Sequence, residues 1–463
     1  MIRLVRNQRS EVRGQKSEVR SQRSEVKVCP LSSVFCRRIA LSLILCGVTI
    51  GAERFPPPDF VETDHVIPSP TVPGPRQDIY EYLDAVVLLA ALGLSSYLVL
   101  RKRSRRAIFV LMVFSLLYFG FYREGCVCSV GAIQNIVLSV FDRDYAVPIA
   151  VALFFLLPLV FTLFFGRVFC AAVCPLGAVQ DLVLLRAVSV PNWFEGGLRL
   201  FAYVYLAAAV LFAATGSAFL ICRYDPFVAF FRLNGNLNIL IIGACLLVIS
   251  VFIGRPYCRF ICPYGVLLRQ LSRLSKWRVT ITPDECIQCR LCEDSCPFGA
   301  IKKPTTDWPT TEYGRSKKRL AVLLLLLPVL MFLCGWTGSG LKTVTSRVHA
   351  TVRLAERIYL EDTGKVEDTT DASLAFRATG KEPKELYEEA SNIRAGFGLG
   401  GWFFGGFVGL VIGLKLIAVS VWRQRTDYEA GRAGCLACGR CFKYCPKEHE
   451  RLKKRLLQNE NSY

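Results

Sequence analysis

The sequence has 463 residues, of which 52% are hydrophobic, and it carries a formal charge of +20. Its apolar residues form blocks of about 18 residues or more without a charge, which indicates membrane-spanning helices and excludes a large soluble protein. The basic residues lie beside these blocks or in the first 27 residues, which follows the positive-inside rule and argues against a nucleic-acid partner.

The N-terminal region does not resemble a folded domain. Residues 1–36 begin with a basic seven-residue repeat (QRSEVRG, QKSEVRS, QRSEVKV) that has no apolar stripe. We interpret it as disordered, or as a translated repeat upstream of the true start. Residues 37–80 contain an apolar run of 14 residues and then a proline-rich stretch. This pattern fits a signal peptide or an uncleaved anchor, followed by an external segment.

Seven further apolar blocks predict transmembrane helices. The fold class is therefore an all-α polytopic membrane protein with about seven to eight transmembrane helices. The arginine-rich loop 101–106 predicts a cytoplasmic side, and alternation places 254–318 and 423–463 there and the polar insertion 337–398 outside. We expect the membrane to be the bacterial inner membrane. The predicted spans are 82–100, 107–122, 147–165, 198–221, 237–253, 319–336 and 399–422.

Two related loops follow apolar blocks and carry paired cysteines. Residues 166–177 read GRVFCAAVCPLG and residues 254–265 read GRPYCRFICPYG, so both contain C-x-x-x-C-P-x-G. Three interpretations are open: a third cluster, redox dithiols activated by the neighbouring arginine, and buried packing residues. These loop cysteines are Cys170, Cys174, Cys258 and Cys262.

A fainter copy of this pattern lies on the opposite side of the predicted membrane. Residues 126–134 read CVCSVGAIQ, and residues 222–227 read CRYDPF. The membrane region therefore contains repeated units of a span and a loop. No role is assigned to the cysteines of the fainter copy, which are Cys126, Cys128 and Cys222.

Two cysteine runs carry the most specific chemistry. Residues 286–297 read CIQCRLCEDSCP and residues 435–446 read CLACGRCFKYCP, both of the form C-x-x-C-x-x-C-x-x-x-C-P. Three thiolates of such a run bind one [4Fe–4S] cluster, and in two-cluster ferredoxins the fourth binds the other cluster. Zinc sites favour two separated C-x-x-C pairs, and the absence of C-x-x-C-H argues against haem.

These runs predict two [4Fe–4S] clusters in one small α+β ferredoxin unit of bacterial type, assembled from two separated cytoplasmic segments. The alternative is that each half meets a partner ferredoxin. The predicted ligands are Cys286, Cys289, Cys292 and Cys445 for the first cluster, and Cys435, Cys438, Cys441 and Cys296 for the second.

From about residue 80 to 463, the two loops and the ferredoxin runs resemble the NosR/NapH-type membrane polyferredoxins. The resemblance implies electron transfer between the quinone pool or the cytoplasm and a periplasmic reductase system of the nitrous oxide or nitrate reductase type. It implies a quinone as a further cofactor. It also implies membrane lipid, a periplasmic reductase or flavoprotein and a soluble ferredoxin as partners.

No motif for covalent flavin is present, so the chain is closer to the flavin-free NapH type. We predict an electron-transfer component without catalytic residues of its own. The alternative function is a metal- or cofactor-assembly factor that uses the clusters and loop thiols as reductant. The predicted regions are 1–36, 37–80, the membrane domain 81–275, ferredoxin half one 276–318, a transmembrane hairpin 319–422 with the insertion 337–398, and ferredoxin half two with a basic tail 423–463.

Overall fold

The architecture is known from a computed structural model and is mostly helical. The predictions for residues 1–77 lie outside the described residues, as does Cys126. The described residues are 78–125, 128–188, 190–232, 236–281, 286–305, 313–421 and 425–460.

The first described elements form a hairpin of two apolar helices. Helix α1 spans Asp78–Tyr97 and continues as a π-helix to Lys102, and α2 spans Arg105–Ser115 and continues as a π-helix to Tyr122. Arg103 adopts a left-handed conformation (φ 52°) that reverses the chain, and the hydroxyl of Ser104 accepts the N–H of Ala107 at 3.5 Å. A serine at this position satisfies a helix donor that has no partner within the helix. The basic loop therefore lies at one end of this hairpin.

The rest of the described membrane domain consists of one long helix and seven shorter ones around the two cysteine loops. Each loop forms one π-helical turn, Phe169–Val173 and Tyr257–Ile261, and a proline then starts the next helix. The helices are α3 Ala132–Phe141, α4 Ile149–Phe165, α5 Pro175–Leu182, α6 Asn192–Ala214, α7 Leu220–Tyr224, α8 Pro226–Arg232, α9 Leu237–Ser250 and α10 Pro263–Leu271.

Among the described residues, fewer long apolar helices are present than the seven spans predicted from residue 82 onward. In the described part of the chain, five helices are long and apolar enough to cross a membrane, or six if the bent pair α8 and α9 counts as one span. Helix α4 is apolar but has only 17 residues. The long C-terminal helix starts at Pro383, not near residue 399, so it includes the end of the predicted insertion.

Two long helices form the C-terminal hairpin, α12 (Tyr313–Gly340) and α16 (Pro383–Ser420). Glycines at every fourth position of α16 face α12, which allows the two backbones to approach closely, as is common in membranes. Between them lie α13 Lys342–Thr345, α14 Ala350–Asp362 and α15 Asp371–Ala378. Helix α14 packs on the start of α16 through a small core that includes Ile358 and Leu386.

Gly405→Ala is expected to destabilise the hairpin. A Cβ atom at Gly405 would overlap the carbonyl oxygen of Cys334 in α12, and overpacking of this kind costs about 1–3 kcal/mol. The matched control is Gly406→Ala, since the nearest atom to a Cβ there is the carbonyl oxygen of Met331 at 3.8 Å. Thermal unfolding of the two variants in detergent measures the difference. Equal melting temperatures would show that the close contact between α12 and α16 at Gly405 does not stabilise the protein.

The two separated ferredoxin segments form a single unit. Strand β1 (Ile301–Lys302) pairs antiparallel with β2 (Glu429–Ala430), and Ile301 lies opposite Ala430. The short helices α11 and α17 pack against each other. The helices of the unit are α11 Leu291–Asp294, α17 Arg440–Tyr444 and α18 Pro446–Glu460.

The ferredoxin unit docks at the end of the first hairpin that carries the basic loop. Arg103 forms a buried ion pair with Glu448 of α18 at 2.6 Å and donates to the carbonyl of Thr280 at 3.0 Å. Arg105 donates to the carbonyl of Cys438 at 3.0 Å. The basic loop is therefore part of the interface with the ferredoxin unit, in addition to its predicted role in orientation.

Candidate metal centres

Four cysteines from both ferredoxin segments line one cavity. Cys286, Cys289 and Cys292 come from the first segment, and Cys445, directly before α18, comes from the second. Burial raises the pKa of the Cys292 thiol to about 12, and the negative charge of the neighbouring thiolates adds to this effect. These neighbours are Cys289, Cys445 and Cys286. Four such thiols side by side become anionic only when a cation is bound among them.

A second cavity holds the other four cysteines. Cys296 from the first segment joins Cys435, Cys438 and Cys441 of the second segment. Burial raises the pKa of Cys441 well above its usual range, and the three neighbouring thiols raise it further. The structure thus brings together the side chains of both predicted ligand sets, each with one cysteine from the opposite segment.

The two ligand loops have the same backbone shape. Gln288 and Arg290 in the first loop have positive φ angles of 52° and 66°, and the equivalent Ala437 and Gly439 have 53° and 71°. Left-handed residues in this pattern turn successive N–H groups into the loop, which creates a concavity for an anion. The N–H of Ala437 accordingly donates to the sulfur of Cys435 at 3.4 Å. Both loops are therefore shaped to bind an anionic cluster.

A single bound ion fits this arrangement poorly. In the described part of the chain, no three histidine, cysteine, aspartate or glutamate side chains lie close enough to hold one metal ion. The ligands of a cubane bind different irons, so they lie farther apart than the ligands of one zinc ion. The donor sets fit [4Fe–4S] clusters better than zinc.

The four loop cysteines also converge, and we call this group the inner centre: Cys170, Cys174, Cys258 and Cys262. All four are buried, with 7–9% of each residue exposed. Cys262 lies within electrostatic reach of the other three. The inner centre therefore contains four thiols from two loops that are about 90 residues apart in the sequence.

Every sulfur of the inner centre has a hydrogen-bond donor. Arg167 donates to Cys170 at 3.6 Å, Gln180 donates to Cys258 at 3.5 Å, and the N–H of Gly265 donates to Cys262 at 3.3 Å. The N–H of the glycine three residues after Cys174 donates to that sulfur in the same way. Donors directed at all four sulfurs suit thiolates that bind metal. Apolar packing alone does not require them.

The redox-dithiol interpretation depends on a lowered pKa, which Cys258 does not have. Burial raises the pKa of the Cys258 thiol to about 12, and Arg255, which lowers it, does not compensate. Reactive thiols are usually exposed and have depressed pKa values. The geometry of the inner centre thus favours a metal site over thiol exchange.

Two charged residues link the inner centre to the ferredoxin unit. Arg255 is fully buried, donates to the carbonyl of Cys170, and lies within electrostatic reach of Cys438. Asp181 binds Arg105 at 2.8 Å, Arg440 of α17 at 3.1 Å and Arg255 at 3.5 Å. Asp181 could not be predicted from the sequence, because it has no motif of its own and its three arginine partners come from distant segments.

A further cavity of ≈ 230 Å³ lies at the other end of the membrane domain, and we call it the outer cavity. Its lining includes Asp84, Cys128, Cys222 and Asp225. Asp84 lies about 27 Å along the helix from Lys102, at the end that faces away from the ferredoxin unit. Asp84 is paired with Arg123 at 2.7 Å. It is therefore held in an ion pair at this end of the hairpin.

Comparisons with known proteins agree with these centres. Residues 147–193 and 236–282 each match the family model of a 4Fe-4S binding domain, and each match contains one of the two cysteine loops. Residues 279–302, which contain the first ferredoxin run, match a further 4Fe-4S binding domain. No solved structure matches the chain.

Several curated proteins are similar to the chain. It is 30% identical over 122 residues to YccM of Escherichia coli (strain K12), and the match covers 24% of this chain and 34% of YccM. The name of YccM describes it as an electron transport protein. It is 29% identical over 203 residues to the uncharacterized protein MJ0750 of Methanocaldococcus jannaschii, covering 43% of this chain and 82% of MJ0750. It is 29% identical over 122 residues to the protein NirI of Paracoccus denitrificans, covering 25% of this chain and 18% of NirI.

The apolar helices and the matches to 4Fe-4S binding domains indicate an iron–sulfur protein of the membrane, and the chain spans about a third of the length of the electron transport protein YccM. More particularly, the cysteine loops, the ferredoxin runs and the partial matches to YccM and NirI support a membrane polyferredoxin that resembles the NosR/NapH type.

Proposed function

We propose that the chain conducts electrons across the bacterial inner membrane, between the quinone pool or the cytoplasm and a periplasmic reductase system of the nitrous oxide or nitrate reductase type. The observation that carries the proposal is the position of the inner centre. It lies against the ferredoxin unit on one side, through Arg255. On the other side, Tyr257 lies next to Cys258 in the sequence, and its hydroxyl donates to Asp225 Oδ2 of the outer cavity at 3.1 Å. This arrangement supports a route for electrons along the membrane domain.

The proposed cofactors are two [4Fe–4S] clusters in the ferredoxin unit and a third at the inner centre. When bound, these clusters accept and release single electrons. The third is supported by the four sulfur donors and by the family matches that contain both loops. The quinone, and the closeness to the flavin-free NapH type, rest on the family resemblance.

The same proposal places the ferredoxin unit in the cytoplasm. It is supported by the loop 101–106, whose Arg103 and Arg105 contact the ferredoxin unit directly. Loops rich in arginine and lysine remain on the cytoplasmic side of inner-membrane proteins. The outer cavity then lies towards the periplasm.

A basic cleft of ≈ 1170 Å³ supports docking of an acidic redox protein such as a soluble ferredoxin. It runs along the ferredoxin unit and includes Ala300 and Gly434, which lie close to the second ligand set. Six basic residues outnumber the two acidic ones in the lining, Asp427 and Glu429, so the cleft carries an excess of positive charge. Such an excess attracts acidic partners and speeds their association. The basic residues that line it are Arg199, Arg273, Arg278, Lys302, Arg425 and Arg432.

The assembly-factor alternative has less support. A factor that reduces a substrate with its loop thiols must expose at least one of them. The four thiols of the inner centre are buried, so a protein substrate would not reach them without a rearrangement.

Oriented proteoliposomes test the proposed route. Ferricyanide, which does not cross the bilayer, is trapped inside, and reduced soluble ferredoxin is added on the side of the ferredoxin unit. Loss of ferricyanide absorbance is expected for the wild-type protein. In Cys258→Ser the rate is expected to fall to that of protein-free liposomes, because the inner centre loses a ligand. Cys245→Ser, in α9, is the matched cysteine control and keeps the wild-type rate.

Two outcomes would contradict the proposal. A wild-type preparation that contains its clusters but transfers no electrons would exclude a conduit. An unchanged rate in Cys258→Ser would exclude the inner centre from the route.

A further inference from the structure

The outer cavity repeats the backbone support of the inner centre. At the inner centre, the side-chain oxygen of Gln180 accepts the N–H of the residue before Cys258 at 3.1 Å. At the outer cavity, Gln134 accepts the N–H of the residue before Cys222 at 2.9 Å. Cys222 thus occupies the position at the outer cavity that Cys258 occupies at the inner centre.

The cysteine before each glutamine is also repeated. The sulfur of Cys174 accepts the N–H of Gly177, and the sulfur of Cys128 accepts the N–H of Gly131. In both segments the glycine follows the cysteine by three residues, and the glutamine follows the glycine by three. Cys128 is therefore the counterpart of Cys174. A Cβ atom built on Gly131 would lie only 3.1 Å from the sulfur of Cys222, so both thiols lie beside this glycine.

A third position of the inner centre, that of Cys262, has an aspartate counterpart. Cys262 (φ −56°, ψ 115°) and Asp225 (φ −75°, ψ 111°) have similar backbone angles, and each precedes a proline that starts a helix. The N–H of Gly265 donates to the Cys262 sulfur at 3.3 Å, and the N–H of Phe227 donates to Asp225 Oδ1 at 3.0 Å. Asp225 is 3% exposed. It therefore presents a buried anionic ligand where the inner centre presents a thiolate.

We infer that Cys128, Cys222 and Asp225 form a further metal site in the outer cavity, which takes an iron–sulfur cluster. All three line the same cavity. Thiolate and carboxylate are both iron ligands. The ligands of an iron–sulfur cluster bind different irons, so they can come from separate segments, as the ligands of the inner centre do. The site would extend the proposed route beyond the inner centre.

This inference rests on the proposed function, and iron analysis separates the two. The full chain is purified anaerobically in detergent, and iron and acid-labile sulfide are measured per chain beside Mössbauer and EPR spectra. Cys222→Ser is expected to lose about four irons relative to the wild type. The EPR signals of the ferredoxin unit should persist in the variant, which shows that it is folded. The control Cys245→Ser keeps the full iron content.

Asp225→Cys provides a second test. It replaces the carboxylate with a third thiolate, so it is expected to keep the iron while changing the spectrum of one cluster. Asp225→Ala is expected to lose that cluster. Unchanged iron and spectra in both Cys222→Ser and Asp225→Ala would overturn the inference, as would a Cys128–Cys222 disulfide in the isolated protein or zinc at the site. In these cases the other clusters would still support the proposed function, whereas a wild-type chain without iron would refute both.

Discussion

Cys445→Ser is expected to remove the same cluster as Cys286→Ser, although the two cysteines are about 160 residues apart in the sequence. Each variant should lose about four irons per chain, because each deletes one ligand of the same cubane. The reason is the shared cavity, in which Cys445 joins Cys286, Cys289 and Cys292. EPR spectra of the reduced variants identify which cluster signal remains.

A matching pair of variants makes this test specific. Cys296→Ser and Cys435→Ser should both retain the first cluster and lose the second. If Cys445→Ser instead gave the spectrum of Cys435→Ser, each segment would bind its own cluster, and the exchange of the fourth ligand would be wrong. Cys334→Ser, a half-buried cysteine of α12, is the control and should keep all the iron.

Asp181→Asn is expected to weaken the attachment of the ferredoxin unit by about 3–5 kcal/mol. The variant leaves Arg105, Arg255 and Arg440 close together without a counter-charge, and Arg255 is completely buried. A large fall in the thermal unfolding temperature should follow. The control is Glu356→Gln, which breaks the exposed ion pair with Arg347 and should cost at most about 1 kcal/mol. Equal effects of the two variants would contradict a bridging role for Asp181.

The pH dependence of this contact has a definite sign. Burial alone raises the pKa of Asp181, but Arg255, Arg440 and Arg105 outweigh it and hold the pKa well below its usual range. The stabilisation by Asp181 is therefore fully present above the ordinary aspartate pKa of about 3.9 and is lost as the pH falls towards the depressed value. Between pH 5 and 8, protonation of Asp181 should not loosen the ferredoxin unit.

The cysteine spacings predict the two ligand sets because cluster-binding runs encode their own loop shape, and the thiols of each set line one cavity. The positive φ angles at Gln288 and Ala437 follow from that local geometry. The helix bounds were less predictable. Hydropathy locates the apolar part of α16, but the helix starts earlier, at Pro383, because the polar first turns pack against α14 through Leu386.

The supports of the centres depend on tertiary contacts. Nothing near Asp181 in the sequence indicates that three arginines surround it. Likewise, nothing near Gln180 indicates that it accepts a backbone N–H from a loop about 77 residues away. The repeat of glycine, alanine and glutamine at 131–134 and 177–180 was a usable signal. The structural role of this repeat becomes clear only from the structure, in which each glutamine accepts the backbone N–H of the residue before a cysteine.

The α12–α16 hairpin separates the two ferredoxin segments in the sequence, and this has a consequence for biogenesis. Under the proposed ligand sets, neither cubane can be completed until Cys435 to Cys445 have left the ribosome. By then the hairpin, with its closely packed Gly405, has been synthesised and must enter the bilayer for the segments to meet on one side. Cluster insertion would therefore be a late step that only chains with a correctly inserted hairpin can complete.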